Sequence, residues 1–210
     1  MSTNRMPNIE KIIGRGRLLE VGASTGDITE QLADISGIKI DALEFNINTG
    51  LAKRFAESPN VNPLVMDYFN MGDMHEYKAK YDTVLFKEWF NAFDKESYQL
   101  TLNIAEKITK QNGKLIIIDY FPRVLYRQFI CTFVLRPWKL LEAYKLFRLQ
   151  KANRLLNKER LSGLIEASDS FDIDFQLYSG DDPLNFYDSE IHKILEVVFP
   201  CKFCAVIHKK

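Results

Sequence analysis

From residue 17 to about residue 120, short apolar runs bounded by turn residues alternate with stretches whose apolar positions recur every three or four residues. The first kind has the length and composition of a buried strand, the second that of a helix with one face in a core. RLLEV (17–21) reads as a strand, and DITEQLADIS (27–36) as a short helix with Ile28, Leu32 and Ile35 on one face. IKIDALE (38–44) is a second strand. NTGLAKRFAES (48–58) is helical and stops at Pro59, and VNPLVMD (61–67) is a poorer third strand, interrupted by Pro63. YDTVLF (81–86) is a fourth. KESYQLTLNIAEKITK (95–110) is a helix with Leu100, Ile104 and Ile108 in register. Asn112-Gly113 is its expected C-cap, ahead of KLIIIDY (114–120), the fifth strand. Strand and helix in strict alternation predict a doubly wound α/β sheet with parallel strands.

Beyond residue 120 the pattern changes. Residues 121–167 carry no strand signal and read as a helical insertion broken at Pro137. FDIDFQLYS (171–179) and KFCAVIH (202–208) then read as two last strands, with a helix from Ser189 to Phe199 between them. The expectation is one domain spanning residues 1–210, built on seven strands, with a lid-like insertion after the fifth.

Composition narrows the class without naming it. Lys+Arg 28 against Asp+Glu 28 gives no net charge, and 46% hydrophobic residues describe an ordinary globule. MSTNRMPNIEK has no apolar h-region, and no apolar run approaches the roughly 18 residues of a membrane span. Three cysteines fit a reducing cytoplasm rather than a disulfide scaffold. Cys201 and Cys204 form a C-x-x-C on a strand, where i and i+3 face opposite sides, and no second pair completes a metal site. The three histidines are scattered, so no metal centre is expected.

Chemistry concentrates in LLEVGASTGDIT (18–29), where a strand runs through a loop of small residues into a helix. In doubly wound folds ligands sit beyond the carboxyl ends of the strands, where strand order reverses. A phosphate-binding P-loop would need Gly-Lys-Ser/Thr, and no lysine follows Gly26. A dinucleotide fingerprint would need glycines at 24 and 27, where this chain has Ser24 and Asp27. Glu20 before the loop GASTG, and Glu44 ending the second strand, resemble instead the class I S-adenosylmethionine-dependent methyltransferases. VMDYF, YDTVLFKEWFNAF and NGKLIIIDYF are similar to that family's later motifs, and the resemblance covers about residues 17–120 and the last two strands.

The resemblance implies a mostly parallel seven-stranded sheet and S-adenosyl-L-methionine as cofactor, leaving S-adenosyl-L-homocysteine as product. It implies that backbone near Gly22, Ser24 and Gly26 holds the methionine end, with Glu20 reaching the amino group. Glu44 would take both ribose hydroxyls, Asp67 the adenine amino group, and Tyr68 would lie beside the ring. Ser24 departs from the family's usual glycine and is small enough to be tolerated. The sequence after the fourth strand, Phe86-Lys87-Glu88-Trp89, lacks the Asp/Asn-Pro-Pro-aromatic stretch of exocyclic-amino DNA methyltransferases, so no DNA partner is expected. Lys87-Glu88 and Asp119 likewise depart from the Lys-Asp-Lys-Glu set of ribosomal-RNA 2′-O-methyltransferases.

A small-molecule acceptor, apolar or anionic, is what remains. Glu88, Trp89 and Asn91 after the fourth strand, and Tyr120 and Arg123 after the fifth, are placed to meet it. Glu88 or Tyr120 is the first choice for a base. Residues 121–160 hold ten basic residues against two acids, interleaved with aromatics including Phe133 and Trp138. Such a segment fits an acceptor-pocket roof carrying Phe133 and Trp138, a peripheral membrane contact, or an RNA stripe. Only about 16 residues precede the first strand, so this insertion, or a second subunit of a homodimer, would have to close the site. The alternatives are an RNA methyltransferase and an inactive cofactor-binding subunit of a complex.

Overall fold

The computed structural model describes residues 12–90, 93, 95–120, 158–166, 171–178 and 202–210. Seven strands form one sheet: β1 (Gly16–Val21), β2 (Ile38–Glu44), β3 (Val61–Val65), β4 (Tyr81–Lys87), β5 (Thr109–Tyr120), β6 (Phe171–Tyr178) and β7 (Lys202–Lys209). Their order is β3-β2-β1-β4-β5-β7-β6, with β7 antiparallel to both its neighbours and the other pairings parallel. Strand order reverses between β1 and β4, which lie side by side in register Leu18↔Thr83 to Val21↔Phe86. That is the switch point at which a doubly wound sheet opens a crevice.

Four helices are described: α1 (Asp27–Ala33), α2 (Leu51–Arg54), α3 (Lys95–Ile108) and α4 (Lys158–Glu166). Strand periodicity divides the core between the two sheet faces. Leu19 and Val21 of β1, Val84 and Phe86 of β4, and Leu115 and Ile117 of β5 pack with Tyr98, Leu102 and Ile108 of α3. Leu18, Leu85, Ile116 and Ile118 point the other way, into a cluster with Leu32 of α1 and Leu51 of α2. A continuous apolar strand is thus buried on both faces, as RLLEV and KLIIIDY require.

Three boundaries differ from the sequence expectation. The segment 48–58 is not one helix, because Gly50, in a left-handed conformation, separates a 3₁₀ turn (Ile47–Thr49) from the single turn of α2. Helix α3 ends at Ile108 rather than at Asn112-Gly113. Thr109 Oγ1 donates to the Ala105 carbonyl (2.6 Å), closing the last turn, and the chain enters β5 at once. Asn112 (φ 60°) instead sits where the β4–β5 register shifts between Tyr81 and Thr83. The third is α1, which stops at Ala33, although Ile28, Leu32 and Ile35 do share a face against the core. Pro63 is accommodated because, among the described strands, β3 lies at the edge and pairs with β2 alone. The expected helices over 121–157 and 189–199, and Cys201, lie outside the described residues; Cys204 is buried on β7.

At the amino edge of the sheet a charged cluster replaces apolar packing. Asp41, 2% exposed, accepts from Arg17 Nε and Nη2 (both 3.1 Å), Asn62 Nδ2 (2.9 Å) and Tyr81 Oη (2.9 Å), with Lys80 Nζ at 3.5 Å. Burial alone would raise the Asp41 pKa, but the hydrogen bonds from Arg17, Asn62 and Tyr81 outweigh it and hold it below the ordinary value. A carboxylate with a lowered native pKa stabilises the fold above its unfolded pKa of about 3.9, and that stabilisation is lost as pH falls through the native value. Asp41→Ala, which strands Tyr81 and Arg17, is expected to cost about 3 kcal/mol in urea unfolding at pH 7. The gap between wild type and variant should shrink steadily below pH 4.

Candidate functional site

A cavity of about 300 Å³ opens at the carboxyl edge of the sheet, beside the β1–β4 switch point. Each strand end contributes to it in turn: Gly22 after β1, Leu43, Glu44 and Phe45 at the end of β2, and Met66 to Phe69 after β3. Trp89 and Phe93, after β4, complete the wall. The lining is apolar except for two carboxylates, Glu44 and Asp67.

The loop 22–26 is shaped by bonds to the end of β2. The amides of Gly22 and Ala23 both donate to the Leu43 carbonyl (2.9 Å each), and the Ser24 amide donates to Glu44 Oε2 (2.9 Å). Glu44 Oε1 accepts from the Asn46 amide (2.9 Å), so one carboxylate joins two loops. Ser24 takes φ 53°, a left-handed conformation that costs a non-glycine residue about 1–2 kcal/mol, and its bonded amide holds it there.

The two glycines of the loop serve different ends. Gly22 (φ 78°) faces the cavity, and a Cβ there would stand 3.1 Å from Trp89 Cε3. Gly26 (φ 86°) faces away, and a Cβ there would collide with the Phe55 ring and with Leu51. Its bareness therefore lets α1 dock beside α2. Arg54 of α2 adds ion pairs to Asp27 and Glu30 and donates to the Thr25 carbonyl, orienting the loop from outside.

The remaining residues singled out in the sequence take varied positions. Glu20 lies on the α1 face, where Thr29 Oγ1 donates to its Oε2 (2.6 Å); it does not line the cavity. Asp67 lines it and is exposed, its Oδ1 accepting from the Phe69 amide (2.9 Å). Tyr68 forms a floor rather than an open stacking surface. It is 1% exposed, its hydroxyl donates to the Thr101 carbonyl (2.9 Å), and burial raises its pKa well above the ordinary value. Glu88 stands outside the lining, its carboxylate 4.0 Å from Lys87 Nζ. Tyr120 closes β5, and its side chain lies outside the described residues, as do Asn91, Arg123, Phe133 and Trp138.

Trp89 is the best-defined of the acceptor candidates. Its ring sits 4.6 Å from Phe93 and 5.6 Å edge-on from Tyr68, with Phe69 and Phe86 beyond. Its Nε1–H is sealed from solvent with no acceptor among the described residues, a state that costs about 1–3 kcal/mol. Phe45, Met66, Phe69 and Phe93 were not singled out from the sequence. Phe45 adjoins Glu44 at the end of β2, Met66 adjoins Asp67, and Phe69 follows Asp67 by two, and that closeness to an acid was the available signal. Among the described residues no group of three His, Cys, Asp or Glu side chains could hold a metal ion, and no helix is long and apolar enough to cross a membrane.

No family model matches the chain, and no curated protein matches it in sequence. Solved structures do. A SAM-dependent methyltransferase from Archaeoglobus fulgidus is 18% identical with TM-score 0.63, over 96% of this chain and 89% of that one. One from Methanosarcina mazei is 12% identical with TM-score 0.64, over 98% of both chains. Phosphoethanolamine N-methyltransferase 2 from Haemonchus contortus, solved with S-adenosyl-L-methionine, is 12% identical with TM-score 0.62, over 96% of this chain and 50% of that one. The fold is that of the class I S-adenosylmethionine-dependent methyltransferases.

Glu20 carries an electrostatic signature of its own. Burial pushes its pKa up to about 7, against the opposing pull of the Thr29 hydroxyl and the Lys87 ammonium. A raised native pKa means that stability present below the unfolded value of 4.5 is lost as pH rises towards 7. Glu20→Gln keeps an acceptor for Thr29 and removes the charge. Its stability relative to wild type should rise between pH 4.5 and 8 by up to ~3 kcal/mol, read from urea unfolding across that range.

Proposed function

We propose that this protein is an S-adenosylmethionine-dependent methyltransferase acting on a small, apolar or anionic acceptor. The observation that carries the reading is the cavity at the switch point. It brings a bare glycine face, a carboxylate at the end of β2 and a carboxylate after β3 around an otherwise apolar slot. These residues fit the cofactor part by part. Glu44 can accept from two vicinal hydroxyls at once, because a carboxylate has lone pairs beyond those facing Ser24 and Asn46. Phe45, Met66 and Phe69 offer apolar surface to a base, Asp67 an acceptor for its amino group, and Gly22 a backbone without a side chain on the face meant for the methionine end.

The cofactor, when bound, supplies a methyl group on a positively charged sulfur. What the chain must add is alignment of the acceptor and exclusion of water. The aromatic wall of Trp89, Phe93 and Phe69 supports an apolar acceptor, since it offers area and no charge. Glu88 and Tyr120 are the proposed bases where the acceptor carries a proton, and Arg123, Phe133 and Trp138 the proposed roof. The solved neighbours include enzymes for phosphoethanolamine and for plantazolicin, acceptors of unlike chemistry. The acceptor is therefore read from this chain's lining and not from theirs.

Calorimetry with S-adenosyl-L-homocysteine tests the cofactor. Wild type should bind, and Glu44→Ala should weaken binding by about 1.5–3 kcal/mol, with thermal melts checking that the fold persists. Absence of heat with this ligand, alongside binding of NAD, would sink the reading.

The acceptor class calls for a separate measurement. With methyl-labelled cofactor, label should pass to apolar or carboxylated small molecules and not to RNA. If residues 121–160 also touch a membrane, the protein should sediment with anionic vesicles at low salt, and charge reversal at Arg136, Lys139 and Lys145 should release it.

A further inference from the structure

Trp89 stands over the one glycine face that the cavity offers. The ideal Cβ position of Gly22 is 3.1 Å from Trp89 Cε3 and 3.3 Å from Cζ3, so the indole is already in contact range of that backbone. No layer of further atoms fits between them. A methionine moiety lying against Gly22 and the indole in this position would claim the same space.

The neighbourhood of Trp89 separates a fixed backbone from a side chain with reason to move. On one side the Glu88 amide donates to the Ile118 carbonyl (2.8 Å), and on the other the Phe90 amide donates to Asp119 Oδ2 (3.0 Å). Both anchors lie on β5, which is buried in the sheet. Glu88 itself is held at φ 54°, a conformation that persists in a non-glycine residue only where the surroundings enforce it. With the backbone pinned on both sides, any departure of the indole from Gly22 has to come from side-chain rotation. Its Nε1–H is sealed without an acceptor among the described residues, so the present position leaves a buried donor unpaired.

We propose that Trp89 gates the cofactor site: its indole and the methionine end of the cofactor exclude one another from the face of Gly22, and loading requires the indole to swing away. This rests on the cofactor reading above and adds a role for a residue otherwise assigned to the acceptor wall. The gate lowers apparent cofactor affinity by the fraction of time that it stands open. The aromatic wall facing the acceptor is then complete only after the cofactor has entered, which imposes an order of binding.

The chain has two tryptophans, so Trp138→Phe leaves Trp89 as the sole indole reporter. Titration of that protein with S-adenosyl-L-homocysteine should shift Trp89 emission to the red and raise its quenching by acrylamide. Stopped-flow mixing of Trp89→Ala should show faster association, with Kd lowered about tenfold if the gate stands open a tenth of the time. Saturable calorimetric binding that leaves emission and quenching unchanged overturns the gate and leaves the cofactor reading intact. Weaker binding by Trp89→Ala does the same, marking Trp89 as a wall. If neither wild type nor Trp89→Ala binds the ligand, the cofactor reading falls and the gate with it. Should Trp89→Ala fail to fold, the fluorescence titration decides alone.

Discussion

One carboxylate, that of Glu44, fixes the shape of the mouth of this fold. It ends β2 and accepts backbone N–H groups from two different loops, Ser24 of the loop after β1 and Asn46 of its own. Without it Ser24 would have nothing to hold its left-handed backbone, and the segment leading to α1 would lose its fixed path. The same side chain lines the cavity beside Phe45 and Gly22. Loop anchor and cavity lining coincide there, so a substitution at Glu44 changes the loop and the cavity wall together.

The two ends of the sheet are built on opposed principles. At the amino edge Asp41 gathers Arg17, Asn62, Tyr81 and Lys80 into a closed polar knot, while Asp82 accepts from the Arg17 amide and from Lys110. At the carboxyl edge the walls are Phe45, Met66, Phe69, Trp89 and Phe93, with Phe45 left 76% exposed. Locking one edge with charge permits the other to stay open and apolar, since the sheet need not draw its cohesion from the end where the cavity opens.

How much of this could be read in advance follows the range of the forces involved. The strands were legible because burial on both faces writes a continuous apolar run, as in KLIIIDY. Glu44 and Asp67 were legible because each ends such a run with a charge. Helix α3 was misjudged at its end, since Thr109 closes the helix through its own hydroxyl while Asn112-Gly113, a C-cap by composition, falls inside a strand. The roles of the two loop glycines were closed to local reading. Only tertiary structure shows that Gly26 clears Phe55 and that Gly22 meets Trp89. Phe93 was equally hidden, because what brings it to the cavity is its ring against Trp89 and Phe69, not its neighbours in the chain.

The position of β7 bears on how the chain reaches this form. Synthesis delivers β1 to β5 in an order that lets each parallel strand find a neighbour already made. For β6 that is not so. Among the described strands its partner is β7, which is made later and which must slot between β5 and β6. Until then β6, which alternates apolar and polar residues, has no neighbour to pair with, and the open edge of β5 offers its hydrogen bonds to any extended chain nearby. The arrival of β7 therefore closes that edge of β5 and gives β6 its place in the sheet in one step.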